Sequence, residues 1–359
     1  MPLQIPNLFQ KREKSSAIPT DPNIITRESF KRHCIMNHGL DPDIKDGLPK
    51  FNILNYEKQV LKNKPLRTRS FLNTAKDVLR KQKENKLIDW SHMRTSSMCE
   101  NEVPYEQAVK VPLRKPLEWN GVHDIERVRI VLQRTVEQWD SCSTKKDLVK
   151  MVRESAVKMP RVKNIICFGL GSFAHRYGDC HCKSGEVEVN MITQHLTALT
   201  IAETLEEYCI NQTTVGQVQD PIPIILQDPG YVDIDRTLLS ELSPRFETRD
   251  DPDGFLAIDE NSFVITIACV APVYEVLADL TAAGDCGRGP AGILGDEVNT
   301  TRSAKWATGM DWETPRMLKF LKNYDTRGFD GFVVAKEEFG GLWKNDMWLW
   351  DTQLWVRKN

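Results

Sequence analysis

Two glycines, a serine, a histidine and an aspartate in this chain are of the types, and near the spacing, that handle a nucleotide. Gly169-Leu170-Gly171-Ser172 follows four apolar residues, Ile165 to Phe168. Lacking a Cβ, glycine takes positive φ readily and lets a backbone N–H close on a phosphate or a sugar. Asp228 ends a second apolar run, Pro223-Ile224-Ile225-Leu226, in the tripeptide Asp228-Pro229-Gly230. An acid at the carboxyl end of a second parallel strand accepts hydrogen bonds from ribose hydroxyls. The same tripeptide is also ordinary turn chemistry, because aspartate caps, proline presets φ and glycine permits the left-handed region.

The other candidates come from the loops that such a sheet would bring alongside. A third apolar run, Phe263 to Cys269, leads through Val270-Ala271 to Pro272, on the rim where open α/β sheets bind ligands. Arg288, inside the glycine-rich stretch from Gly284 to Gly292, could grip a phosphate from a loop over that rim; a flexible surface loop is the plainer explanation. His195 falls among the apolar positions of a helical stripe, where a hydrogen-bonded core imidazole competes with a ligand-facing one. The candidate ligand set is therefore Gly169, Gly171, Ser172, His195, Asp228, Pro229, Pro272 and Arg288.

Catalytic machinery is not legible. No nucleophile elbow, no Walker lysine after the glycine turn and no metalloprotease helix occurs. A dinucleotide fingerprint needs a third glycine and an immediate helix, whereas here the segment SFAHRYGDCHCKSGEVEVN intervenes. Cys180-His181-Cys182, with His175 nearby, is dense in soft ligands but lacks a matching second pair, so no metal is expected.

These loops need an α/β scaffold, and the periodicity supplies one. Val128, Val131, Leu132, Thr135, Val136 and Trp139 repeat at 3.6, which predicts a helix packed by one face. Thr144 with Asp147 predicts the start of the next helix, through Leu148, Met151 and Val152, and the pair is expected to close one face of the sheet. A helix over 190–210 carries the stripe Met191, His195, Ala198, Ala202, Leu205 and Cys209, and another runs from Val273 to Leu280. A helix around Trp312 to Tyr324, a strand over Phe329 to Val334 and an edge strand within Asp351 to Lys358 complete the reading.

Residues 1–117 read as a basic, partly disordered extension and 118–359 as the folded domain. Between Glu57 and Lys86, ten Lys/Arg face three acids, and Thr74 with Asp77 predicts a helix toward Lys86. That segment is the candidate arm for a protein partner; with one aromatic, Phe71, and no recognised motif it does not suggest nucleic acid, and a solvated basic helix accounts for it too. In a chain of 359 residues with a formal net charge of -2, nine cysteines at irregular spacing argue against a disulfide framework and for a reducing compartment, cytoplasmic or nuclear. The first residues, MPLQIPNLFQKREK, lack a secretory apolar core, and no apolar run is long enough for a membrane span.

The order of the motifs resembles the SRR-like family, named for Sensitivity to Red Light Reduced, in its fungal branch. The resemblance rests on IICFGLGSF (Ile165 to Phe173), Gln194-His195-Leu196, ILQDPGY (Ile225 to Tyr231), ACVAPVYEVLADL (Ala268 to Leu280) and GPAGILGDEV (Gly289 to Val298), over about residues 125–300. It implies a Rossmann-like three-layer fold with a mostly parallel sheet, and a regulatory association with light signalling, circadian rhythm and haem metabolism; it transfers no reaction. Three readings stay open: a regulatory protein with a nucleotide-type ligand at the sheet rim, a methyltransferase-like enzyme using S-adenosylmethionine, and an interaction module docking through the basic segment. Against the second, Cys167 and Phe168 stand before Gly169 where a carboxylate is usual.

Overall fold

The computed structural model describes residues 64–83, 122–175, 187, 189–212, 220–267, 269, 272–298, 300, 314–328 and 352–358. At its centre is one seven-stranded sheet: β1 (Asn164–Phe168), β2 (Ile224–Gln227), β3 (Phe246–Thr248), β4 (Ser262–Thr266), β5 (Gly292–Asp296), β6 (Tyr324–Gly328) and β7 (Thr352–Arg357). The order is β3-β2-β1-β4-β5-β7-β6, parallel from β3 to β5, with β7 antiparallel to both its neighbours. β1 is flanked by β2 and β4, so the chain leaves it in both directions across the sheet. That junction is the topological switch point, whose carboxyl-end crevice is the ligand position of open α/β sheets.

Alternation along the strands assigns the two faces. Ile165 and Cys167, Ile224 and Leu226, Phe263 and Ile265, and Leu294 join one core. Ile166 and Phe168, Ile225, Val264 and Ile293 join the other. Both sets are apolar because both faces are covered, which is why these strands read as continuous hydrophobic runs. Each fully buried isoleucine contributes about 1.5–3 kcal/mol relative to exposure.

The first core is roofed by helices α2 (Ile125–Ser141), α3 (Ser143–Ala156), α4 (Val189–Gln212) and α5 (Asp233–Leu242). The helical pair α2 and α3 packs chiefly on α4 rather than straight onto the sheet, which corrects the expectation. Being covered from both sides, α4 buries Ile192, His195, Leu196, Ala198, Ile201, Ala202 and Leu205, and also four threonines. Three of the four threonine hydroxyls find partners: Thr193 donates to the Asn190 carbonyl at 2.9 Å, Thr204 donates to the Thr200 carbonyl at 2.7 Å, and the Trp139 indole donates to the Thr200 hydroxyl at 3.0 Å, while the buried Thr197 hydroxyl has none among the described residues. Cys142, not Thr144, caps α3, its sulfur accepting from Lys145 N–H. Thr144 is buried.

The second core is covered by α1 (Arg69–Lys83), α6 (Asp253–Leu256), α7 (Val273–Ala283) and α8 (Pro315–Leu321). α1 starts five residues before the predicted cap: Thr68 accepts from Phe71 N–H, while Thr74 lies inside the helix and bonds back to Ser70. Nor is this described part of the basic segment a solvated tail. Leu72 and Ala75 are fully buried, and Arg67 bonds Asp279 of α7 through both backbone and guanidinium. Arg69 bonds the Asp285 carboxylate through its N–H and the carbonyls of Leu256, Ile258 and Asp285 through its guanidinium.

β7 also differs from expectation. It is an interior strand, with four consecutive buried residues from Leu354 to Arg357, and the true edge is the charged β6. The strand expected over Phe329 to Val334 lies outside the described residues, as do Cys180, His181 and Cys182. Among the described residues no helix is long and apolar enough to cross a membrane, and no group of three or more His, Cys, Asp or Glu could hold a metal ion.

Candidate functional site

The turn after β1 and the turn after β2 are stitched together at the carboxyl rim. Gly169 and Gly171 have φ of 67° and 79°, the left-handed region that favours glycine. Each is also closely approached: a Cβ would lie 2.6 Å from Cys269 Sγ at Gly169 and 2.2 Å from Met191 Sδ at Gly171. The glycines are therefore demanded by neighbouring protein groups. Gly171 N–H donates to Asp228 Oδ2 at 2.8 Å, and Gly230 N–H donates to Asp228 Oδ1 at 2.7 Å.

A second carboxylate lies beneath the first. Asp235, in the first turn of α5 and fully buried, accepts the Ser172 hydroxyl at 2.7 Å, Ala174 N–H at 3.1 Å and Val232 N–H at 3.0 Å. Burial raises the pKa of Asp228 and Asp235 above the usual carboxylate range, against the N–H donors that lower it. His175 bears on both acids as the nearby favourable charge. Asp228 accepts an N–H on each oxygen, the pattern of an ionised carboxylate.

His195 sits below this network with no exposed surface. Its Nδ1 lies 2.6 Å from the Met191 carbonyl and its Nε2 lies 2.7 Å from the Tyr231 hydroxyl. A carbonyl can only accept, so Nδ1 carries the proton, Nε2 is the acceptor and Tyr231 donates to it. Burial pushes this histidine down to about 4, so it is neutral near pH 7. His195 spends both ring nitrogens within the protein and fixes Tyr231, which follows Gly230.

The predicted set thus divides. Gly169, Gly171, Ser172 and Asp228 come together, with Pro229 exposed beside them. Ser172 is 1 % exposed and spends its hydroxyl on Asp235, so it braces the turn from within. Pro272 begins α7 in the neighbouring loop, and Cys269 of that loop touches Gly169. Arg288 does not join them. It is exposed in the connection from α7 to β5, and β5 runs parallel to β4, so that connection lies at the opposite, amino end of the sheet.

Sequence reasoning missed Asp235, Tyr231 and the pair of Gln227, at the end of β2, with Asp251, in the turn after β3. Gln227 Oε1 accepts Gly254 N–H at 2.6 Å and its Nε2 donates to Asp251 at 3.0 Å. Burial raises Asp251 to about 7, with Asp253 and Asp250 adding to the rise. An acid in the first turn after Asp228-Pro229-Gly230-Tyr231 was the readable sign of Asp235. An open cavity of about 650 Å³ lies nearby at the β3 edge, lined by Lys76, Arg236, Arg249, Glu247, Asp250 and Asp253 among others.

A family model for the SRR1 domain matches residues 132–349. The chain belongs to the SRR1 domain family. No curated protein and no solved structure matches it. In this SRR1 domain the matched span opens inside α2 and holds the whole rim network from Gly169 to Asp235. α1 and β7 lie outside that span, yet both contribute buried residues to the same core.

Proposed function

We propose that this SRR1 domain is a regulatory ligand-binding domain that takes a nucleotide-type ligand at the carboxyl rim between β1, β2 and β4, without turning it over. The observation that carries the reading is the bond from Gly171 N–H to Asp228, which holds two crossover turns as one surface at the switch point. Gly169, Gly171, Asp228, Pro229 and Pro272 are the residues proposed to meet the ligand; Ser172 and His195 support them from below. The test is a thermal melt of the full chain with nucleosides, nucleotides, S-adenosylmethionine and haem. A ligand at a hundredfold excess over Kd stabilises by about 2.7 kcal/mol, and 1 kcal/mol raises Tm by roughly 2–4 °C in a domain of this size. No shift with any of them contradicts the reading.

A second reading, an enzyme of the methyltransferase type using S-adenosylmethionine, is favoured by the strand order. The sheet order sets a glycine turn after β1 beside an acid after β2, the two features that class also places there. Fold alone does not carry chemistry, and Cys167 stands in the interior of β1 where those enzymes place an acid before the glycine turn. Methyl transfer from labelled S-adenosylmethionine to a cell extract, abolished by Asp228→Ala, would favour this reading over the first.

A further inference from the structure

The way the rim spends its own hydrogen bonds limits what it can bind. A phosphate cradle offers free backbone N–H groups from a glycine turn, with positive charge nearby. Here four donors of the turn, both glycines among them, are committed. Gly169 N–H donates to the Gln227 carbonyl at 3.1 Å, Gly171 N–H to Asp228, Ala174 N–H to Asp235 and Ser172, and His175 N–H to the Ser172 hydroxyl at 3.1 Å. A carboxylate therefore occupies the place where a phosphate would sit, with a second carboxylate, Asp235, behind it. The cations on the nearest flank are engaged as well: Lys76 with Asp253 at 2.7 Å, Arg249 with Glu247 at 2.8 Å and Arg236 with Asp233 at 3.4 Å. Arg288 lies at the other end of the sheet.

We propose that the rim takes an uncharged or cationic nucleoside, its sugar hydroxyls on the unused lone pairs of Asp228, and rejects nucleotides carrying phosphate. Each Asp228 oxygen has one lone pair left after its N–H bond, enough for the two hydroxyls of a ribose. A phosphate brought to the same turn meets two acids, with His175 beside them, and no free N–H from Gly169, Gly171, Ala174 or His175. A sulfonium or amine substituent meets favourable charge instead.

This inference rests on the rim reading, and one titration series separates the two. Isothermal titration of the full chain at fixed ionic strength would use the four ribonucleosides, S-adenosylmethionine, AMP, ADP and NAD. The expected result is that a nucleoside or S-adenosylmethionine binds at least tenfold more tightly than AMP, with ADP weaker still. Equal or tighter binding of AMP, ADP or NAD overturns the inference and leaves the rim reading standing; binding of nothing in the series overturns both. Asp228→Asn locates the effect. The ratio of nucleoside to AMP affinity should fall toward one in this variant, and an unchanged ratio in a folded variant puts the ligand elsewhere. Should Asp228→Asn fail to fold, the wild-type series decides alone.

Discussion

Gly171 and Asp228, 57 positions apart in sequence, are joined by a 2.8 Å hydrogen bond from the glycine N–H to the carboxylate. The consequence is that the glycine turn has a carboxylate for its companion from the outset. The rim is shaped by acids, and its chemistry should follow from them.

Three glycines with left-handed φ separate backbone strain from crowding. Gly284, with φ of 77°, has nothing within 4 Å of an added Cβ, whereas the corresponding positions at Gly169 and Gly171 collide with Cys269 and Met191. Gly284→Ala is expected to cost about 1–2 kcal/mol, the strain of the left-handed region alone. Gly171→Ala and Gly169→Ala should cost more by about 1–3 kcal/mol for overpacking. Urea unfolding of the three variants checks the order.

His195 should not take a proton above about pH 5. Its pKa is lowered from 6.5 in the unfolded chain to about 4 in the folded one. Its contribution is then fully present above pH 6.5 and is lost as pH falls through the folded value, at no more than about 1.4 kcal/mol per pH unit. The imidazole shifts in an NMR titration read this directly. Tyr231→Phe, which strands the buried Nε2, should destabilise by about 1–3 kcal/mol.

Asp251 gives the opposite sign. A carboxyl whose folded pKa is raised to about 7 is most favourable below the unfolded value near 3.8, and loses its contribution as pH rises through the folded one. Asp251→Asn keeps the oxygen that Gln227 Nε2 reaches but carries no charge. Its stability relative to wild type should therefore climb between pH 4 and 7, as measured by denaturant midpoints across that range.

Arg67 ties the N-terminal segment to α7 through a buried ion pair. It and Asp279 are each 1 % exposed at 3.5 Å, and Arg316 approaches the other oxygen of the same carboxylate at 3.4 Å. Arg67→Ala should cost about 3–5 kcal/mol, because it strips a buried acid of a partner. Removing residues 1–120 should lower Tm even more, since Leu72 leaves the core with it.

The sheet's centre was readable because β1, β2 and β4 are buried on both faces and so are unbroken apolar runs. α4 was readable from its helical stripe, of which His195, Ala198, Ala202 and Leu205 are buried. β5 escaped notice because Gly292 and Gly295 make it resemble a loop. Those glycines are packing requirements: a Cβ at Gly292 would lie 2.8 Å from the Phe263 ring, and one at Gly295 would lie 2.3 Å from the Tyr274 hydroxyl. β3 is three residues long and β6 is charged on its exposed side, so neither has a pattern to read. At the site, Gly171 and Asp228 were visible as types, but their bond to each other was not. The misplacement of Arg288 came from the same missed β5, without which its loop has no end of the sheet to belong to.

Hydrogen–deuterium exchange of the full chain, with and without saturating adenosine or S-adenosylmethionine, tests the central claim that the functional surface is this rim. The account predicts added protection over residues 169–175 and 228–231, and no change over 284–291 at the opposite end of the sheet. Protection confined to 284–291 or to the cavity residues 247–257, or none with either ligand, would contradict it.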